Sequence, residues 1–241
     1  MKSNFLILTI ICFLSCNEIG VDNPKPISTS INKILCLGAS RVEGERPNFE
    51  SYRYELWKKL IHNNFTFDFI GTQSDNAKYP PFKSLNFDID HEGRGGWTSG
   101  DILEDLEGWL KETGSPDIVL LSSPGGNDAL EDLPYSNAVL NINSIIDIFQ
   151  NINPNITIII EQMAPGHSEF MTSELTFFWE SMRNEVLKIA DNKSTLTSQI
   201  ILVDMYSGFD DSLLADDVHY NEDGAKFISN RYFNILKNLL K

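Results

Sequence analysis

From Asn32 onward, short uniformly apolar runs alternate with longer stretches whose apolar residues recur at helical spacing. The apolar runs predict five strands, at 33–38, 65–71, 117–122, 156–161 and 199–206. Between and after them, helical spacing predicts helices at 51–62, 99–112, 136–150, 169–191 and 224–240. In the first, Leu56, Trp57 and Leu60 share a side. In the second, Ile102, Leu103, Leu106 and Leu110 form a face behind a potential Ser99 cap.

Strands that are apolar throughout, rather than at every second position, are buried on both faces. Joined by helices, they imply an α/β fold with a parallel sheet and right-handed crossovers. In such a sheet the functional cleft lies beyond the carboxyl ends of the strands. The chain shows no internal repeat and no low-complexity segment, and 31–241 reads as one domain.

The segment before it has another character. Lys2 followed by the apolar stretch from Phe5 to Leu14 is too short to span a bilayer and reads as a secretory signal over 1–16. Its end, Phe13-Leu14-Ser15-Cys16, resembles the bacterial lipoprotein processing site, which implies lipidation of Cys16. The apolar residue lies two places before the Cys rather than the usual three. The alternative is a plain signal peptide with an incidental Cys. Residues 17–30, polar with two prolines, are expected to be a tether. Membrane association is expected only through such a lipid anchor.

Two of the three cysteines lie in that leader, so the domain keeps only Cys36 and has no disulfide framework. The chain is 41% hydrophobic and carries a formal net charge of −15, which repels nucleic-acid phosphates and anionic lipid surfaces. No His or Cys pair has metal-ligand spacing, and no glycine-rich loop leads to a phosphate-binding Lys, so no cofactor or metal is expected.

The carboxyl ends of the predicted strands carry the chemistry. Gly38-Ala39-Ser40 follows the first, and Gly93-Arg-Gly-Gly-Trp-Thr-Ser99 the second after a long loop. Pro124-Gly-Gly-Asn-Asp128 follows the third, Met163-Ala-Pro-Gly166 the fourth, and Asp216-Asp-Val-His219 precedes the last helix. Each alone is an ordinary turn; together they set a hydroxyl, bare backbone, an amide and a carboxylate–imidazole pair on one edge. A serine hydroxyl needs a base within hydrogen-bond reach, a role for His219. Asp216 can fix the tautomer and stabilise the imidazolium. The oxyanion of an acyl transfer needs donors aimed at it: the Ser40 N–H, the Gly96 N–H and the Asn127 amide. Gly96 is expected to be glycine because a side chain would block close backbone approach. Trp97 is either a core anchor or a platform for a sugar. His62 reads as a surface residue, His91 as lining the cleft or pairing with Asp90, and His167 as a loop residue open to either role. Arg41 and Arg53 are either solvated or brace the cleft by pairing with acids.

The blocks GAS, GRGGWTS, GGND and DDVH, in this order, resemble those of the SGNH (GDSL-type) hydrolases over nearly all of 33–241. Within that family SYRYELWKKL, FDFIGT, FDIDHEGRGGWTSGDI and PDIVLLSSPGGNDAL resemble the acetylxylan-esterase branch, carbohydrate esterase family 3. The resemblance implies a flavodoxin-like three-layer sandwich around a five-stranded parallel sheet. It implies a nucleophilic Ser40, an Asp216–His219 pair and an oxyanion hole of Ser40, Gly96 and Asn127. It also implies an acetylated carbohydrate as substrate, cleaved through an acyl-Ser40 intermediate. Ala39 departs from the usual Asp of the first block, and Ser122-Ser123-Pro124 departs from the usual approach to the third. Two other readings stand beside this one: a lipase or thioesterase of the same fold, and a non-catalytic glycan-binding surface lipoprotein.

Overall fold

The computed structural model describes residues 25–240; the expected leader and Cys16 lie outside them. The chain runs β1 (Lys33–Gly38), α1 (Ser40–Glu43), α2 (Arg53–His62), β2 (Asp68–Ile70), β3 (Gln73–Ser74), β4 (Asp90–Gly93) and α3 (Ser99–Thr113). It continues β5 (Ile118–Leu121), α4 (Gly126–Leu130), α5 (Tyr135–Ile152), β6 (Thr157–Gln162), α6 (Ser173–Lys193), β7 (Gln199–Asp204) and α7 (Glu222–Leu236). A 3-10 turn, Asp211–Leu213, interrupts the loop before α7.

The sheet has seven strands where the sequence leads one to expect five. The five predicted from apolar runs form its parallel body: β1 lies between β2 and β5, with β6 and β7 following. Of the two additions, β4 shares one edge of β1 with β2. β2 pairs with its first half, Lys33 to Leu35, and β4 with its last two residues, Leu37 and Gly38. β3 then closes antiparallel on β4. β4 reads Asp-His-Glu-Gly and has no apolar signature, yet His91 and Glu92 are buried. Its side chains are held by polar partners: Glu92 accepts from the Thr72 N–H and from Arg94, while His91 Nδ1 accepts from the Gly93 N–H. His91 therefore neither lines the cleft nor pairs with Asp90.

Two apolar layers cover the sheet. Leu35, Leu37, Val119, Leu121, Ile158 and Ile160 pack against α3, α5 and α6. On the other face Ile34, Cys36, Leu120 and Ile159 pack against α2 and α7. Alternate residues of one strand thus enter opposite cores, which is why those strands are apolar throughout. Two helix starts differ from expectation because side-chain caps set them. Thr172 accepts from the Leu175 N–H, so α6 begins at Ser173 rather than 169, and Asn221 accepts from two N–H groups, so α7 begins at Glu222 rather than 224. α3 starts on a capping box between Thr98 and Asp101, one residue before the expected Ser99 cap. Lys25, inside the expected tether, donates to the Gly71 and Gln73 carbonyls and to Asp90.

The chain leaves β1 on one side toward β2 and β4 and returns on the other at β5. That reversal opens a crevice at the carboxyl end of β1, where Ser40 lies.

Candidate active site

β1 stops on Gly38 because the chain turns at once into α1, and Ser40 is the first residue of that four-residue helix. The turn carries the hydroxyl out of the buried strand to a half-buried position. His219 Nε2 lies 2.8 Å from Ser40 Oγ. On the opposite side of the ring, His219 Nδ1 lies 2.8 Å from Asp216 Oδ2. Asp216 Oδ1 also accepts from the backbone N–H groups of Val218 and His219, at 2.9 and 2.8 Å. Burial by itself would raise the Asp216 carboxyl; these N–H donors and the imidazole outweigh it and hold the group below the usual carboxylate value. Asp216 is thus an anion fastened to its own loop, facing the ring nitrogen that must stay protonated. Phe49 stacks on the imidazole with centroids 3.9 Å apart and ring planes within 13°.

Of the three expected oxyanion donors, Ser40 and Asn127 line one cavity. The N–H groups of Ser40 and Gly96 have no hydrogen-bond partner among the described residues. Asn127 Nδ2 donates to the Trp97 carbonyl at 2.9 Å, which spends one amide proton, fixes the amide plane and leaves the second proton. The reason for glycine at 96 differs from the expected one. A Cβ there would meet nothing within 4 Å, but φ is +79°, a left-handed conformation that side-chain-bearing residues resist. Close approach is needed at Gly93 instead, where a Cβ would lie 2.4 Å from the Glu43 nitrogen. That contact brings the Gly95-Gly96 turn onto α1, and Glu43 Oε2 accepts the Gly95 N–H at 2.5 Å.

Both arginines in question brace the site, though mainly through carbonyls rather than acids. Arg53 is fully buried and donates to the Val42 and Glu43 carbonyls and to Asp75. Arg41 donates to the Val218, Ala164 and Pro165 carbonyls. Trp97 packs against the core beside Trp109, the first of its two expected roles, and the residue also lines the cavity at Ser40. That cavity measures about 40 Å³ and is lined also by Ala39, Ser123, Asn127, Leu130 and Val218. His62 is exposed, and His167 lies 3.8 Å from Asp211. Among the described residues no group of three His, Cys, Asp or Glu is placed to hold a metal ion.

Motif reading passed over Glu43, Phe49, Asp128 and Glu161. Asp128, in the same block as Asn127, accepts from the backbone and hydroxyl of Ser99 and so joins the start of α3 to α4. Glu161 is fully buried at the end of β6 and accepts from Ser122, Ser123 and Tyr232. A lone Glu at the end of an apolar strand is the signal that could have singled it out.

No family model matches the chain, and no curated protein matches it in sequence. Solved structures do. An acetyl esterase variant crystallised with an acetate ion superposes with TM-score 0.73 at 24% identity, covering 87% of this chain and 98% of that one. A Clostridium thermocellum family 3 carbohydrate esterase gives TM-score 0.68 at 27% identity, with 87% and 98% covered. The lipase/acylhydrolase from Enterococcus faecalis gives 0.63 at 16%, with 88% and 98% covered. The fold is that of the SGNH hydrolases. Within them the chain resembles carbohydrate esterase family 3.

Proposed function

We propose that this protein is a serine esterase that removes O-acetyl groups from carbohydrate. One observation carries the catalytic part: an unbroken Asp216–His219–Ser40 chain with 2.8 Å at each link. His219 takes the Ser40 proton as Oγ attacks the ester carbonyl. The Ser40 and Gly96 N–H groups and the Asn127 amide receive the oxyanion. As the tetrahedral intermediate collapses and its C–O bond to the sugar breaks, His219 gives the proton to the departing sugar oxygen; a water then repeats the sequence on acetyl-Ser40, releasing acetate and restoring Ser40. No metal or cofactor enters these steps.

The cavity beside Ser40 supports the reading of the acyl group. At about 40 Å³, where one water needs roughly 10–15 Å³ by the same measure, its size supports a short acyl group such as acetyl. Trp97 and Leu130 contribute to its walls. A wall rejects longer acyl chains outright, whereas each methylene a pocket does accept is worth only about 1–3 kcal/mol. The similarity to an acetyl esterase and to a family 3 carbohydrate esterase supports the sugar as leaving group.

The test is kcat/KM for p-nitrophenyl esters of increasing length, followed by acetate release from acetylated glycans. Rapid acetyl cleavage, weaker butyryl cleavage and almost no octanoyl cleavage are expected. A rise toward octanoyl would replace this reading by the lipase one. A chain that no fluorophosphonate labels at Ser40 would be a binder rather than an enzyme.

A further inference from the structure

Resting on the esterase reading, we propose that Arg41 is the positioning residue of this site: its guanidinium ties the nucleophile helix to the loop that carries Asp216 and His219. Arg41 directly follows Ser40 and is 6% exposed, so its side chain leaves α1 inward, beneath the catalytic groups. Nε donates to the Val218 carbonyl at 2.8 Å. Val218 is the residue before His219, and its own N–H is one of the donors that holds Asp216. One peptide segment is therefore fixed at both ends, by Arg41 on its carbonyl and by Asp216 on its nitrogen.

The other two nitrogens reach a second loop. Nη1 donates to the Ala164 carbonyl at 2.9 Å and Nη2 to the Pro165 carbonyl at 3.0 Å, just past the end of β6. Nη1 also lies 3.4 Å from Ser123 Oγ, at the end of β5. Ser123 has a left-handed backbone, φ 47°, and the buried Glu161 accepts its N–H at 2.7 Å. From Ser123 the chain turns through Pro124 and Gly125 into α4, which bears Asn127. The guanidinium plane lies over Trp179 and Tyr220, with its central carbon 5.4 and 4.9 Å from the ring centroids. A planar fork with fixed donors can serve carbonyls of two loops at once; the ammonium of Lys, a point charge on a flexible stem, cannot reproduce that.

The geometry has a consequence for rate. His219 comes from a loop 179 residues away from Ser40, and the Asp216–His219 pair is half-exposed on that loop. The pair is itself local and survives loss of Arg41. What Arg41 sets is the distance between that pair and Ser40 Oγ. A shift of about 1 Å in such a distance is enough for roughly a 100-fold loss of rate.

The test compares wild type with Arg41→Lys and Arg41→Met, using kcat and KM on an acetyl ester and the imidazole N–H proton resonance of His219. Circular dichroism and the thermal midpoint report the fold. Arg41→Met is expected to lose kcat by about 100-fold with KM little changed, and Arg41→Lys, which keeps the charge, to fall short of rescue. The His219 N–H resonance should broaden or shift in both folded variants, since the pair no longer has a fixed neighbour. If Arg41→Met does not fold, Arg41→Lys decides. A folded variant with wild-type kcat and an unmoved resonance would overturn the proposal. Should wild type itself lack esterase activity, the esterase reading fails, while the resonance still reports whether Arg41 positions His219.

Discussion

Ser40 is an ordinary hydroxyl until three neighbours act on it. His219 Nε2 stands at the hydroxyl, Asp216 meets the other ring nitrogen, and Phe49 covers one face of the ring, so the imidazole has little freedom to swing away. Ser40→Ala should abolish fluorophosphonate labelling and turnover while leaving the thermal midpoint nearly unchanged, because the hydroxyl contributes little to the core. His219→Ala should be almost as severe, since members of such a set act as a unit. If the Ser40→Ala protein turned over as wild type does, the assignment would be wrong. Asn127→Ala removes a donor already aimed by the Trp97 carbonyl, and should lower kcat by about 10²–10³, or roughly 2.7–4 kcal/mol. Gly96→Ala probes backbone rather than space. The open surroundings accept the methyl, but the left-handed φ of +79° costs about 1–3 kcal/mol in local strain. That cost should appear as lost activity with modest loss of stability, measured by parallel kinetics and urea unfolding.

Among the elements, β4 links the sheet to the site, for its last residue leads directly into the Arg94–Gly96 turn. It holds a histidine that stays neutral. Burial, and then the nearby cations Arg53, Lys25 and Arg94, push His91 down to about 2 from an ordinary 6.5. Below pH 6.5 the unfolded chain takes up a proton that the folded one refuses. Stability from this group is thus present above pH 6.5 and lost as the pH falls, by at most about 1.4 kcal/mol per pH unit. Asp88, two residues before the strand, works in the opposite direction. Burial raises its carboxyl to about 6 from 3.8, so between those values the folded chain holds a proton that the unfolded one has released. Its contribution therefore falls as the pH rises through that window. Urea midpoints between pH 4 and 6.5 should separate the two. His91→Gln should flatten or reverse the acid loss, and Asp88→Asn should steepen it. Identical pH slopes in all three proteins would refute both assignments.

At the scale of the whole molecule, the net charge of −15 makes anionic surfaces poor partners. Among the described residues no helix is long and apolar enough to cross a membrane. We propose that Cys16 carries a covalent lipid that attaches the protein to a membrane. The full chain expressed in a bacterium should fractionate with membranes, and Cys16→Ser should not be processed to the lipidated form. Mass spectrometry finding an unmodified N-terminus beyond Cys16 would rule the anchor out. Each buried CH₂ contributes about 0.8 kcal/mol, so several acyl chains together hold firmly.

The sequence by itself determined the order of strands and helices, the parallel sheet and the edge on which function would lie, because doubly buried strands must be apolar along their whole length. It also singled out Ser40, Gly96, Asn127, Asp216 and His219 as candidates from short local motifs, and the fold joins Ser40, His219 and Asp216 in one hydrogen-bonded chain. Tertiary structure alone decided the rest. β4 is polar, and its burial depends on Thr72 and Arg94, which no periodicity reports. The contact of Phe49 with His219 and the reach of Arg41 to Val218, Ala164 and Pro165 join residues up to 177 positions apart. A side chain that serves distant carbonyls leaves no pattern of its own in the chain; only the packed fold brings its partners within hydrogen-bond distance.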